Sequence, residues 1–343
     1  MAANEIQPGN TRKQTENREI AIPPKTVFDV GAYIAIARPD HWFKNVFMLL
    51  GVFLAFFMEP NLVSQSWLGQ LLAAVAATCL ISSSNYVINE ILDAPLDRLH
   101  PIKKNRPVPS GRVHLPVAYG EWIIIGILGL GLAWTVNPPF FLSGCALWIA
   151  GLCYNIRPVR TKDIPYIDVL SESLNNPIRL YLGWFALIAN KIPPVSLTIA
   201  YWMAGAFFMG AKRYAEYRMI NDPKVAGAYR RSFRHYNENR LLISLFCYAT
   251  ACAFFTAIFI VRYHLELILA APLFAGFFAC YMRVALKPDS PVQNPEKLYR
   301  EKTLMVYAVF TFIIFTLLLF TNIPNLYPLF NVAPNRVVPL WVF

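Results

Sequence analysis

The sequence predicts an all-α, multi-pass membrane protein, and three observations carry that prediction. Hydrophobic residues make up 56% of the 343-residue chain and charged residues 15%, which is more apolar and less charged than a soluble domain. Apolar runs of roughly the length of a membrane span recur nine times along the chain. Lys and Arg cluster in every second segment between those runs, as they do when such segments lie on the cytoplasmic side.

The apolar runs set the bounds of nine predicted transmembrane helices. They lie at about 43–58, 67–90, 115–136, 140–155, 166–188, 194–213, 241–261, 265–286 and 303–320. Residues 1–26 are polar and lack the apolar core of a signal peptide, so we predict a disordered cytoplasmic tail there. Residues 27–320 form the predicted transmembrane catalytic domain, which begins with an interfacial helix that turns at Arg38-Pro39. The Pro- and aromatic-rich segment 321–343 is predicted to lie along the outer surface.

The distribution of charge predicts the orientation and limits the partners. Nearly all of the 31 Lys and Arg residues fall on one side of the predicted membrane, which assigns the N-terminus and the opening of a central cavity to the cytoplasmic side of a bacterial cytoplasmic membrane. The net charge of +11 then follows from topology, so we expect membrane lipids and no nucleic acid as partners. The six cysteines lie in apolar stretches without C-x-x-C spacing, which indicates neither a zinc site nor a disulfide framework.

The first chemical motif is NYVINEILDAPLDRLHPIKKNRPVPSG, residues 85–111, at the end of the second span. Four side chains at four-residue intervals form a stripe on one helix face: Asn85, Asn89, Asp93 and Asp97. Their oxygens suit Mg²⁺, and Lys103 and Arg106 follow to bind substrate phosphate. We therefore predict a Mg²⁺-diphosphate site at the end of this membrane helix. The alternative is a solvated helix end, which is disfavoured because ionisable groups fused to an apolar span are costly.

A second acidic segment follows the fourth span. Asp168, Glu172, Asn175 or Asn176, and Arg179 recur on one face of a predicted helix. We expect this face to oppose the first stripe, with Asp168 and Glu172 as candidate ligands of a second metal ion. Glu172 and Arg179 are expected to pair with each other or with a ligand, and Arg179 is a candidate phosphate-binding residue. In the structural alternative, Asp168 only complements the helix N-terminus.

The third cluster spans residues 207–242, FFMGAKRYAEYRMINDPKVAGAYRRSFRHYNENRLL. Arg is suited to bidentate phosphate recognition and Lys to a point-charge contact. Lys212 and Arg213 end the sixth span, and Lys212 shares a helical face with Glu216. The alternative to phosphate recognition by these residues is that they supply only the ordinary positive charge of the cytoplasmic side, or a surface that faces anionic lipid.

These motifs resemble the UbiA superfamily of intramembrane prenyltransferases. The resemblance rests on Asn89-x-x-x-Asp93-x-x-x-Asp97 with its HPIKKNRPVPSG continuation, on the second acidic segment and on the nine spans, and it extends over about 39–320. RPDHWFKNVFML, KRYAE and YRRSFRHY are similar to the decaprenyl-phosphate phosphoribosyltransferase branch. The resemblance implies a UbiA-type bundle in which Asn89, Asp93 and Asp97 hold Mg²⁺ and diphosphate. It further implies that Lys212, Arg213 and Tyr236 contact phosphate groups.

The resemblance implies transfer of 5-phosphoribose from phosphoribosyl pyrophosphate to a polyprenyl phosphate, with release of diphosphate. Prenyl transfer from a polyprenyl diphosphate to an aromatic or other small acceptor is the alternative. Both reactions pass through a carbocation-like state, so either enzyme must stabilise the leaving group and exclude water. A non-enzymatic lipid-binding or transport protein is a third reading, and it predicts that Asp93→Asn and Asp97→Asn leave cellular activity intact.

Overall fold

The computed structural model describes residues 29–64, 67–98, 103–293 and 295–333. Every regular element in these ranges is helical, without strands, which confirms the predicted all-α class. The predicted N-terminal tail 1–26 lies outside the described residues, as does 334–343 of the predicted outer tail.

The first span is assembled from three consecutive helical pieces. α1 (Val30–Ala37) ends at Arg38, which takes a left-handed conformation with φ of 50°. A 3₁₀ helix follows over Pro39–Met48, and α2 (Leu49–Met58) completes the span. The predicted turn at Arg38-Pro39 is therefore present. Ten residues is long for a 3₁₀ helix, because its hydrogen-bond geometry is poorer than that of an α-helix.

The next three helices form the part of the bundle that carries the first motif. α3 (Leu68–Asp97) contains 30 residues, so the apolar span and the polar stripe belong to one continuous helix. α4 (Leu115–Val136) and α5 (Pro138–Asn155) follow, and Asn137 caps α5 by accepting a hydrogen bond from Phe140 N at 2.8 Å. Gly129 allows α4 to approach α3, since a Cβ there would lie 2.9 Å from Ile81 Cγ1.

The second half of the chain departs from the predicted spans at two places. The predicted helix 166–188 is divided at Leu174 into α6 (Ile167–Ser173) and α7 (Asn175–Phe185). α8 (Val195–Ile220) is longer than the predicted span and keeps the KRYAE segment helical. The later helices are α9 (Pro223–Tyr229), α10 (Glu238–Tyr263), α11 (Ala271–Ala285), α12 (Lys302–Leu319) and α13 (Leu326–Leu329).

Six segments in the described ranges are long and apolar enough to cross a membrane. They are Val30–Met58, Leu68–Asp97, Leu115–Val136, Glu238–Tyr263, Leu265–Ala285 and Lys302–Leu319, and they coincide with predicted spans one to three and seven to nine. The other three predicted spans correspond to shorter or less apolar helices, α5, α6 with α7, and α8. The protein is thus a multi-pass integral membrane protein, and the count of nine spans stays a prediction.

Close backbone contact fixes α7 against the first span. A Cβ on Gly183 would lie 1.9 Å from Met48 O, and one on Gly51 would lie 2.0 Å from Leu180 O. Only glycine permits this approach. The contact places the 3₁₀ helix directly beside α7. Elsewhere in the bundle, an apolar cluster around Phe207 packs α8 against α10.

Candidate active site

The stripe on α3 meets the end of α5 and the loop that follows it. Asn89 Nδ2 donates to Asn155 Oδ1 at 2.6 Å, and Lys162 Nζ donates to the same oxygen at 2.8 Å. Lys162 Nζ also lies 2.5 Å from Asp93 Oδ1, to which Arg160 Nη2 donates at 3.3 Å. Burial lowers the pKa of Lys162, and the Asp93 carboxylate opposes that shift. Asn89 and Asp93 are therefore brought together, with a buried ammonium held between them.

Asp97 and Glu90 point to different partners on the same helix. Asp97 Oδ2 accepts a hydrogen bond from Arg106 Nη1 at 2.7 Å, so two predicted site residues form an ion pair. Glu90 is buried and accepts from Arg38 Nη2 at 3.1 Å and from Val108 N at 3.2 Å. Glu90 thus ties the first span and the basic loop to α3. Lys103 begins a short 3₁₀ turn in that loop.

Asp168 is the anchor of a second cluster. Its side chain is 0% exposed, and its two oxygens receive four donors from two parts of the chain, α8 and the segment before α10: Arg213 Nε at 3.2 Å, Arg230 Nη1 at 3.4 Å, Ser232 Oγ at 3.1 Å and Tyr236 OH at 2.6 Å. It forms no cap to the N-terminus of α6. The Asp168 carboxylate is fully enclosed by these donors, whereas the Glu172 side chain is 29% exposed, so of the two candidates for a second metal, Glu172 fits better than Asp168.

Arg213 joins three carboxylates. It is 1% exposed, and besides Asp168 it binds Glu172 through Nη2 and Glu216 Oε2 through Nη1 at 3.3 Å. Burial and the Asp168 carboxylate raise the pKa of Tyr236, so its hydroxyl stays protonated and donates to that acid. Arg213 and Tyr236 both bind Asp168, and their expected contact with phosphate stays a prediction. Lys212 lies close enough to Glu172 and Glu216 to act on both electrostatically.

Tyr154 connects the two clusters. Its hydroxyl donates to Glu172 Oε2 at 3.0 Å, and the Lys162 ammonium lies 5.7 Å from the centroid of its ring. The two acidic segments are therefore linked through Lys162 and Tyr154. The site is a continuous polar network that runs from Asp93 through Lys162 and Tyr154 to Glu172.

Arg179 lies apart from this network. It donates through Nε to Asn45 Oδ1 at 3.0 Å, through Nη1 to Asn175 O at 3.4 Å and through Nη2 to Ser82 Oγ at 3.5 Å. The expected pairing of Glu172 with Arg179 is wrong, because Arg213 occupies Glu172 instead.

Several central residues were not predicted as site residues from the sequence. They are Tyr154, Asn155, Arg160, Lys162 and Arg230. The signal that points to the first four is the stretch YNIRPVRTKD at the end of the fourth span, where an amide and three cations follow an apolar run, while Arg230 lies in the third cluster, residues 207–242. In the sequence these cations read only as positive charge on the cytoplasmic side.

The residues of the first stripe suit a metal ion that arrives with substrate phosphate. In the parts of the chain that the structure describes, no three His, Cys, Asp or Glu side chains are grouped as a metal site built from protein ligands alone. Asp93 has one oxygen engaged by cations, and its side chain is 24% exposed. Because Mg²⁺ typically takes one or two carboxylates and completes its shell with phosphate oxygens and water, the oxygens of Asn89, Asp93 and Asp97 fit it.

Comparisons with known proteins show the family and the fold of the chain. The UbiA prenyltransferase family model matches residues 44–300. Decaprenyl-phosphate phosphoribosyltransferase from Mycobacterium tuberculosis is 27% identical over 220 residues, 64% of this chain and 70% of that protein. Nodulation protein NoeC from Azorhizobium caulinodans is 26% identical over 222 residues, 64% of this chain and 68% of that protein. The structure of a UbiA homolog from Archaeoglobus fulgidus bound to DMAPP and Mg²⁺ covers 83% of this chain and 99% of that one, with a TM-score of 0.63 and 19% identity, which shows a shared fold.

Proposed function

The chain belongs to the UbiA prenyltransferase family, and we propose that it transfers 5-phosphoribose from phosphoribosyl pyrophosphate to a polyprenyl phosphate, with release of diphosphate. That it is a UbiA-type transferase follows from the family. The named activity of the mycobacterial relative supports the choice of donor and acceptor. We assign the site to the cytoplasmic side of a nine-span bundle, because the polar clusters share the side that is rich in Lys and Arg.

The observation that carries this proposal is the presence of two linked sets of cations. Lys162 and Arg160 lie at Asp93, whereas Arg230 and Lys212 lie around the second acidic cluster. Phosphoribosyl pyrophosphate carries anionic groups at both ends of the ribose, but a prenyl diphosphate carries them at one end only. Two cationic sets joined through Tyr154 therefore suit the sugar donor better.

Each side chain has a definable task in this reaction. Asn89, Asp93 and Asp97 would hold Mg²⁺, which when bound stabilises negative charge on the departing diphosphate. Lys162, fixed by Asp93 and Asn155, supplies a positioned ammonium at the same place. Lys103 and Arg106, in the basic loop that follows α3, are the candidate contacts for substrate phosphate. Arg106 also neutralises Asp97.

The second cluster divides into binding and positioning residues. Lys212 is the candidate phosphate contact, since it acts on Glu172 and Glu216 without a close ion pair to either among the described residues. Arg213 and Tyr236 hold Asp168 and so position α6, α8 and the loop before α10 relative to one another. They are positioning residues in this proposal.

The acceptor needs no general base, because a phosphate monoester is already ionised near neutral pH. One phosphate oxygen forms a bond to the anomeric carbon of the ribose, while the bond from that carbon to the diphosphate oxygen breaks. The surrounding helices exclude water, which limits hydrolysis of the activated donor.

A paired assay tests the proposal. Purified protein in detergent with Mg²⁺ is given phosphoribosyl pyrophosphate and polyprenyl phosphate in one tube, and polyprenyl diphosphate and hydroxybenzoate in the other. Lipid products are read by mass spectrometry, with Asp93→Asn as the inactive control. We expect lipid-linked phosphoribose in the first tube. Product only in the second tube would refute the proposal in favour of prenyl transfer, the alternative that the DMAPP-bound relative supports.

A further inference from the structure

Arg179 is a buried guanidinium that has no counter-charge among the residues that the structure describes. It is 8% exposed, and in the described residues no Asp or Glu forms an ion pair with it. Its electrostatic neighbours are Tyr86, Tyr201 and Cys79, all neutral at physiological pH. Three of its five N–H groups are used, and each binds a neutral acceptor.

Arg213 is the natural comparison for Arg179, because it is a buried guanidinium that the protein itself neutralises. Arg213 is as deeply buried as Arg179 but is surrounded by three carboxylates. A buried charge without a partner is unfavourable by far more than hydrogen bonds to neutral groups recover, and inside a membrane protein it indicates a functional site. The missing counter-charge of Arg179 therefore comes from a bound anion.

This anion is not the phosphate held at Asp93. Arg179 contacts Ser82, which lies on α3 together with Asp93 and eleven residues before it. At 1.5 Å per residue, the two positions are about 16 Å apart along the helix axis. That separation is too long for one phosphate group to contact both, but it leaves room for a second anionic substrate deeper in the bundle.

The first span gives the Arg179 position access to lipid. Asn45, which accepts from Arg179, lies on the inner face of the 3₁₀ helix Pro39–Met48. The other face of that helix is apolar and exposed, with Phe43 at 60% and Val46 at 53%. A membrane-embedded face of this kind contacts acyl or isoprenoid chains, so a lipid phosphate reaches Arg179 by passing the first span.

We propose that Arg179, positioned by Asn45 and Ser82, binds the phosphate of the lipid substrate, a polyprenyl monophosphate, at a site distinct from the donor site at Asp93. The inference rests on the proposed function only for the identity of that lipid. It assigns separate places to the two anionic substrates, one near Ser82 and the other near Asp93 on α3.

The test measures binding, so that it does not depend on turnover. Purified full-length protein is titrated with farnesyl phosphate, with farnesol as the uncharged lipid and with inorganic phosphate, and the thermal midpoint is followed, because a ligand that binds the folded state raises it. Arg179→Met is compared with wild type. The matched control is Arg218→Met, an arginine that is 40% exposed and whose ion-pair partner is Glu238.

We expect farnesyl phosphate, but neither farnesol nor inorganic phosphate, to stabilise wild type and Arg218→Met. In Arg179→Met the dissociation constant for farnesyl phosphate should rise at least about tenfold, the effect of losing a charge-assisted contact. Ligand-free Arg179→Met should unfold no earlier than wild type, because removing an uncompensated buried charge does not destabilise. A merely structural Arg179 predicts the opposite, early unfolding. Should the Met variant not fold, Arg179→Gln carries the same binding comparison.

Equal stabilisation of wild type and Arg179→Met by farnesyl phosphate overturns the inference, as does stabilisation by farnesol to the same degree. Stabilisation by inorganic phosphate alone overturns the lipid identity of the ligand. Failure of the proposed function is distinguishable: no phosphoribosylated lipid forms in the paired assay, yet farnesyl phosphate binding still depends on Arg179. In active enzyme, Arg179→Lys should raise the KM for the lipid and leave the KM for phosphoribosyl pyrophosphate unchanged.

Discussion

Replacing Arg213 with Met tests whether the second cluster is held together by one guanidinium. The substitution preserves much of the apolar stem and removes the charge. It leaves three acids, Asp168, Glu172 and Glu216, without the cation that joins them. Breaking a buried ion pair by removing one partner typically costs about 3–5 kcal/mol, because the partner stays buried and uncompensated.

The contacts that each acid keeps in Arg213→Met determine where in that range the loss of unfolding free energy should fall. Asp168 keeps Arg230, Ser232 and Tyr236, and Glu172 keeps the Tyr154 hydroxyl. The third acid, Glu216, loses the only ion-pair partner it has in the described part of the chain. We therefore expect a loss near the lower end, about 3 kcal/mol.

Unfolding in mixed micelles with increasing SDS, followed by near-ultraviolet circular dichroism, measures this loss. Arg218→Met is the matched control, and as an exposed arginine it should change the unfolding free energy by no more than about 0.5 kcal/mol. Arg213→Lys should recover part of the stability, since it restores the positive charge but cannot bind all three carboxylates with the geometry of a guanidinium. A loss of less than about 1 kcal/mol in Arg213→Met would refute the reasoning.

Three further predictions address the metal site, the first span and the outer surface. Asp93→Asn should lower kcat at least about 100-fold, and EDTA should abolish wild-type activity until Mg²⁺ is restored; activity that survives both would exclude the metal site. Gly183→Ala should destabilise by about 1–3 kcal/mol, since its Cβ would lie 1.9 Å from Met48 O; an unchanged unfolding curve would contradict that. Glu266 is fully buried and accepts hydrogen bonds from Ile323 N and Tyr327 OH, which hold the segment after α12 in place. Glu266→Ala should therefore speed proteolysis of that segment, and an unchanged cleavage rate would contradict this role of Glu266.

The membrane class, the helical positions and the first motif follow from the sequence because each is a local property. Apolar length marks a span, and four-residue spacing aligns Asn89, Asp93 and Asp97 on one face whatever the rest of the chain does. The structure agrees, with one continuous helix from Leu68 to Asp97. The break at Leu174 was not predicted, since the spacing of polar residues continues across it.

Which charges meet was decided only by tertiary packing. Lys162 and Asp93 are 69 positions apart, Arg213 and Asp168 are 45 apart, and Arg179 and Asn45 are 134 apart. Helical periodicity orders side chains along one helix but contains no information on which helix faces it. For that reason Lys162 read as ordinary cytoplasmic charge and Arg213 as a phosphate ligand. The two buried arginines differ in their surroundings, because Arg213 lies among three carboxylates while no carboxylate in the described part of the chain pairs with Arg179.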